Sequence, residues 1–157
     1  MTGAGPVAEL GGAVRGPLAG GCVTGVNRAV CSSCTAWVFS GAFEGPYSYK
    51  SRMEDGAGTN PEELLGAAHA GCFSMALSVV LGEAGHQPES IVTDAKVRFG
   101  KEGDGFAIQS VQLTTRARVP GMDEDGFRQA AEAAKDNCPV SKALTGTEIS
   151  LDAALES

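Results

Sequence analysis

The chain has 157 residues, a common size for a single domain and long enough to enclose a core, so a second full domain is not expected. Its formal charge of -7 has no compensating basic cluster, which argues against a nucleic-acid groove or an anionic membrane surface and favours a small neutral or apolar ligand. The start, MTGAGPVAEL, lacks the basic and apolar regions of a secretory signal, so the cytoplasm is the expected compartment, and five cysteines there read as reactive or inert thiols.

Residues 1–34 are rich in glycine, alanine and proline with no sustained period, and form a segment apart from the domain expected over residues 35–157. Cys22, Cys31 and Cys34 fall in it, and Cys31-Ser-Ser-Cys34 has the spacing of a redox or zinc pair. Zinc needs four ligands, and only Cys22 is near. A thioredoxin-like pair opens a helix, whereas the Thr35-Ala-Trp-Val-Phe-Ser that follows reads as a strand. Incidental cysteines are the simpler reading. Trp37, Val38, Phe39 and Phe43 suggest one extended segment, and Tyr47 and Tyr49 alternate in a second. Arg52 and an acidic, glycine-rich turn over residues 54–58 come next.

The most informative stretch is residues 58–85, GTNPEELLGAAHAGCFSMALSVVLGEAG. Asn60 suits an N-cap and Pro61 the first helical position, Glu62 and Glu63 complement the positive helix end, and Gly85 supplies a stop. Leu64, Leu65, Phe73, Met75, Leu77, Val79, Val80 and Leu81 leave almost no polar face, which predicts a helix through the centre of a core. Glu62, Glu63, His69 and Glu83 set it apart from a membrane span. Cys72 sits midway, with Gly71 and Ser74 leaving room beside its sulfur. His69 reads as a satisfied helix histidine, with proton carriage as the alternative. Phe73, Met75, Met122 and Phe127 read as core packing, with an apolar pocket as the alternative.

Residues 91–99 alternate as a half-buried strand, residues 101–105 turn, and residues 106–119 return as a longer strand whose spacing slips as at a bulge. A second helix starts near Asp123 with Phe127, Ala130, Ala131 and Ala134 on one face, and Pro139 must end it. Cys138 precedes that proline and is pushed from helical geometry. A short helix restarting over residues 139–144 would make Cys138 its N-cap, where a thiolate is favoured. Ile149, Leu151, Ala153 and Leu155 give a last strand. The order predicts an α+β fold with a mainly antiparallel sheet and two long helices.

GTNPEELLGAAHAGCFSMAL and NCPVSKAL, together with PYSYKSR, resemble the OsmC/Ohr family of organic hydroperoxide resistance proteins, the OsmC branch in particular, from about Gly45 to the C-terminus. The resemblance implies an intertwined homodimer of OsmC-like domains and thiol-dependent reduction of organic hydroperoxides, with no metal or other cofactor and with a lipoyl-type dithiol as reductant. By position, Cys72 matches the peroxidatic cysteine, Cys138 the resolving one, and Glu62 and Arg52 the assisting acidic and basic groups. Residues 1–44 depart from the family pattern.

A thiolate attacks the distal peroxide oxygen, an alcohol leaves, and the sulfenic acid formed condenses with a second thiol. Burial alone raises a thiol pKa, so a positive group such as Arg52 is needed, and its planar fork suits both a thiolate and the Glu62 carboxylate. Glu62 and Cys72 are ten residues apart, roughly 15 Å along a continuous helix. One site using both therefore requires a broken helix or a Glu62 supplied by a partner subunit. Two other classes stand beside the enzyme: a peroxide-sensing module oxidised without turnover, and a zinc- or disulfide-stapled structural protein using Cys22, Cys31 and Cys34.

Overall fold

The computed structural model describes residues 34–37, 44–54 and 56–156. Cys22 and Cys31 lie outside the described residues, as do Val38, Phe39 and Phe43. The chain divides into two compact units, residues 1–61 and 62–157.

In the first unit, β1 (Cys34–Trp37) pairs antiparallel with β2 (Glu44–Tyr47). The second extended segment ends sooner than the Tyr47/Tyr49 alternation predicts, because Tyr49 opens a short helix, α1 (Tyr49–Met53). The physical reason is a capping box: Ser48 Oγ accepts from the Ser51 amide at 3.0 Å while Ser51 Oγ accepts from the Ser48 amide at 2.8 Å. Gly58 then brings the chain back at φ 113, where an added Cβ would stand 2.6 Å from the Pro46 carbonyl oxygen.

The second unit is a helix laid on a three-stranded sheet of order β3-β4-β5, with a second helix beside β5. The central helix α2 runs unbroken over Pro61–Glu83. β3 (Ser90–Glu102) and β4 (Gly105–Arg118) form an antiparallel hairpin closed at Gly103 and Asp104, with Gly103 at φ 57 as such a turn requires. The slip expected in the longer strand is a bulge: Arg98 pairs with Ser110 and Phe99 with Ile108, leaving Gln109 extra. β5 (Glu148–Leu155) runs parallel to β4, so the pairing is antiparallel in the hairpin and parallel at this edge. A parallel neighbour needs a crossover, supplied by α3 (Glu124–Asn137) and α4 (Pro139–Ala143). Asp123 caps α3 through the Gly126 amide at 2.8 Å, and Phe127, Ala131 and Ala134 are fully buried.

The expectation that α2 is buried all round does not hold within one chain. Gly66, His69, Phe73, Leu77 and Leu81, spaced three or four apart, are its buried stripe, while Met75 and Val79 stand 67% and 59% exposed. One sheet covers one helix face, so among the described residues of this unit the apolar side chains opposite stand uncovered. α2 is long and apolar enough to cross a membrane by length and composition, but its Phe73, Leu77 and Leu81 lie at the heart of the core cluster with Val111, Leu113 and Phe127. Of the four residues weighed as pocket lining, Phe73 and Phe127 are core, Met122 packs beside it, and Met75 is exposed.

Two features pin α2 to the sheet. Ser74 Oγ donates to Thr93 Oγ1 at 2.8 Å, and Thr93 lies 3.0 Å from the fully buried Thr115 hydroxyl, which donates to the Val92 carbonyl. At Gly66 the helix approaches β3 so closely that an added Cβ would be 3.1 Å from the Ala95 carbonyl oxygen. A branched side chain there must push helix and strand apart. Gly66→Val is expected to destabilise the unit by about 1–3 kcal/mol, read as a lower urea midpoint at unchanged m-value; an unchanged midpoint would contradict this packing.

Candidate active site

Cys72 is carried on the middle of α2, half-buried at the edge of the stripe that faces the core. Cys138 is fully buried and occupies the break between α3 and α4. Its amide still donates to the Ala134 carbonyl at 2.9 Å, closing α3, and its carbonyl accepts from the Lys142 amide at 3.0 Å, opening α4. Pro139 is the cause: it has no N–H to extend α3 and its fixed φ suits the first position of a new helix. Cys138 itself is extended, at φ -60 and ψ 120.

This break brings Cys138 Sγ to 3.1 Å from Cys72 Sγ, with both cysteines as free thiols. Two sulfurs so close titrate as a coupled pair. Burial raises the Cys72 pKa above its ordinary value; the Val140 amide opposes this, and the neighbouring Cys138 sulfur adds to it. Burial acts on Cys138 in the same sense, but it is outweighed. The Ser141 amide, the Cys72 thiol, the Ser141 hydroxyl and the Val140 amide all hydrogen-bond the Cys138 sulfur and bring its pKa below the ordinary value. Within this unit, then, the first proton lost from the pair leaves its charge on Cys138 rather than on Cys72.

His69 is fully buried one turn before Cys72, and its Nε2 lies 2.9 Å from Ser141 Oγ. The expected satisfied histidine is satisfied on one side: Nδ1 has no hydrogen-bond partner among the described residues. Burial lowers its pKa, so the ring is neutral near pH 7. Sequence reasoning passed over Ser141, although its signal was present: His69 and Cys72 are three apart on one helix, as are Cys138 and Ser141 across the proline.

Glu62 and Arg52 are the other sequence-predicted site residues. Glu62 is 7% exposed in the first turn of α2. Since α2 is continuous, the roughly 15 Å rise separates Glu62 from the Cys72 of its own chain, and the broken-helix alternative falls away. Arg52 belongs to the first unit, exposed on α1. Among the described residues no three histidine, cysteine or carboxylate side chains converge to hold a metal ion.

Both the sequence and the fold of this chain have counterparts among known proteins. Residues 54–152 match the family model of OsmC-like proteins. The chain is 52% identical over 112 residues to the peroxiredoxin OsmC of Escherichia coli K12, an overlap covering 71% of this chain and 78% of that protein. This chain belongs to the OsmC family. An organic hydroperoxide resistance protein of Xanthomonas axonopodis pv. citri is 37% identical over 92 residues, 58% of this chain and 63% of its own. Among solved structures, an organic hydroperoxide resistance protein of Elizabethkingia anophelis superposes with a TM-score of 0.67 at 27% identity, covering 80% of this chain and 90% of the other. OhrB of Bacillus subtilis gives 0.64 at 26% identity, covering 80% and 92%. The α+β fold is thus that of the OsmC/Ohr proteins.

The electrostatics of the pair make a direct prediction. Followed by ultraviolet thiolate absorbance, the pair should lose its first proton below the ordinary thiol pKa and its second above it. In Cys72→Ser the remaining Cys138 should still titrate low, because the Val140 and Ser141 donors stay; in Cys138→Ser, Cys72 should titrate high. Two coincident steps at the ordinary value would contradict this coupling.

Proposed function

We propose that this chain is a thiol-dependent peroxidase that reduces organic hydroperoxides to alcohols, with Cys72 as the attacking thiol and Cys138 as the resolving one. The observation that carries this reading is the 3.1 Å contact between two free sulfurs in a chain of the OsmC family. Peroxiredoxin and organic hydroperoxide resistance protein are the names of its relatives. Half-exposed Cys72 is the sulfur a substrate can reach, whereas Cys138 is fully buried.

The Cys72 thiolate attacks the distal peroxide oxygen; the O–O bond breaks, an alcohol leaves, and Cys72 becomes a sulfenic acid. Cys138 then attacks that sulfur, the S–S bond forms and water is released. An external dithiol, lipoyl-type by the family resemblance, reduces the disulfide by exchange. Attack requires the negative charge on Cys72, whereas the donors around Cys138 hold it there. At 3.1 Å one proton shift between the sulfurs suffices, and a cation near Cys72 would drive it. Arg52 is assigned that part and Glu62 the part of orienting it. A working state of reduced thiols suits a reducing compartment such as the cytoplasm.

The active unit in this reading is a homodimer. α2 leaves Met75 and Val79 uncovered, an apolar helix face that a second copy would bury. Glu62 cannot reach along its own helix to Cys72, and a twofold arrangement supplies it, and Arg52, to the Cys72 of the other chain.

With cumene hydroperoxide and a lipoyl-type dithiol, Cys72→Ser should abolish turnover, and Cys138→Ser should consume a single equivalent and stall. Equal turnover by either variant would be incompatible with these roles, and stoichiometric oxidation of the unaltered chain without turnover would favour the sensor. Arg52→Ala should move the alkylation profile of Cys72 to higher pH; an unchanged profile assigns the activation elsewhere. Mixing Glu62→Ala with Cys72→Ser chains should restore one intact site per mixed dimer, given that Glu62→Ala alone is strongly impaired. No recovery in demonstrably mixed dimers would sink the shared site.

A further inference from the structure

Two helices meet at the cysteine pair through two rungs. One rung is Cys72 to Cys138, 3.1 Å between sulfurs; the other is His69 Nε2 to Ser141 Oγ, 2.9 Å. His69 precedes Cys72 by three residues on α2, and Ser141 follows Cys138 by three into α4, so each rung takes one residue from each side. Ser141 lies in the turn that Cys138 opens, and its amide and hydroxyl both favour the charged form of the Cys138 sulfur. The side chains therefore form one chain: His69, Ser141, Cys138, Cys72. His69 and Cys138 are fully buried, and Ser141 is 7% exposed.

A proton count gives this chain a direction. A serine hydroxyl has one proton to donate. If Ser141 spent it on His69 Nε2, the Cys138 sulfur would meet only the serine lone pairs, and His69 would carry its own proton on Nδ1, an N–H with no partner among the described residues. Buried orphan N–H groups are the rarer kind of defect. With the proton on Nε2 instead, His69 donates to Ser141 Oγ, Nδ1 keeps a bare lone pair, and the serine proton is free for sulfur. Protonating both nitrogens would add a charge in a fully buried position, which burial opposes.

We propose that His69 and Ser141 are positioning residues for the second half of the reaction: neutral His69 holds Ser141 by an Nε2–H donor so that the serine hydroxyl points at Cys138 Sγ and keeps that sulfur ready to close the disulfide. This deepens the peroxidase reading and rests on it. In the step concerned, the Cys138 thiolate attacks the sulfur of the Cys72 sulfenic acid. The S–S bond forms, the S–O bond breaks, and the departing hydroxide takes up a proton to leave as water. A donor fixed on Cys138 lowers the cost of its charge once Cys72 has been oxidised. The first step, at the half-exposed Cys72, gains nothing from Ser141, whose donors favour charge on Cys138.

The test separates the two steps. The reduced full chain is mixed with one equivalent of tert-butyl hydroperoxide; peroxide loss reports Cys72 oxidation, dimedone trapping reports sulfenic acid, and loss of both thiols reports the disulfide. Ser141→Ala should close the disulfide about tenfold more slowly and accumulate trappable sulfenic acid, as loss of a hydrogen bond to a charged group predicts, with peroxide loss no slower than in the unaltered chain. Ser141→Thr, which keeps the hydroxyl, should restore closure. His69→Phe should behave as Ser141→Ala, and His69→Gln, which keeps an N–H donor, should fall between. Closure at the original rate in Ser141→Ala overturns the proposal, as does a threonine variant no faster than the alanine one. Should His69→Phe fail to fold, the Ser141 pair decides alone. Absence of any disulfide in the unaltered chain is a different result, and it strikes the pairing of Cys72 with Cys138 itself.

Discussion

The site depends on Pro139 being unable to continue a helix. Without an N–H at that position α3 cannot extend, yet the chain must still cross back to lay β5 parallel to β4. The compromise is one extended residue between two helices, and that residue is Cys138. Its amide and carbonyl are both taken up by flanking helical hydrogen bonds, so the backbone around the sulfur is fixed from both sides. The next amides, of Val140 and Ser141, have no partner earlier in their own helix and turn instead to sulfur. A structural stop thereby becomes a set of donors for a thiolate.

Such donors have a use only if the second sulfur is held at the same place, and the packing of α2 does that. The helix meets β3 at Gly66 with almost no clearance and is held by the Ser74–Thr93–Thr115 hydroxyl chain two residues beyond Cys72. Cys72 is thus bracketed between two anchor points on its own helix. With both sulfurs on fixed backbone, their 3.1 Å separation is set by rigid elements, and disulfide formation asks for little rearrangement. The same rigidity brings His69 against Ser141.

The pair also bears on the first step of the proposed reaction. The local field of the second unit favours charge on buried Cys138 over the half-exposed Cys72. In the proposed reaction, bringing the charge to Cys72 falls to groups outside this cluster. The uncovered face of α2, with Met75 and Val79, is where such groups would arrive with a second subunit.

The sequence by itself determined the elements and their ends. Asn60-Pro61 and Gly85 bound the central helix, period-2 alternation marked the hairpin strands, and Cys138-Pro139 located the helix break, because caps, prolines and side-chain periodicity act within a few residues. Capping by Ser48 and Ser51 was equally local, but two alternating tyrosines masked it and suggested a strand. What only the tertiary structure decided were relations between distant segments. Apolar residues all round α2 gave no sign of which face meets the sheet; close approach at Gly66 chose it, sending His69 inward and Met75 outward. Nor did any local pattern set the parallel pairing of β5, or place Ser141 against a histidine seventy-two residues earlier. These depend on the packing of several elements at once, and a sulfur's pKa, which reflects every donor and apolar group within a few ångströms, is fixed only when that packing is complete.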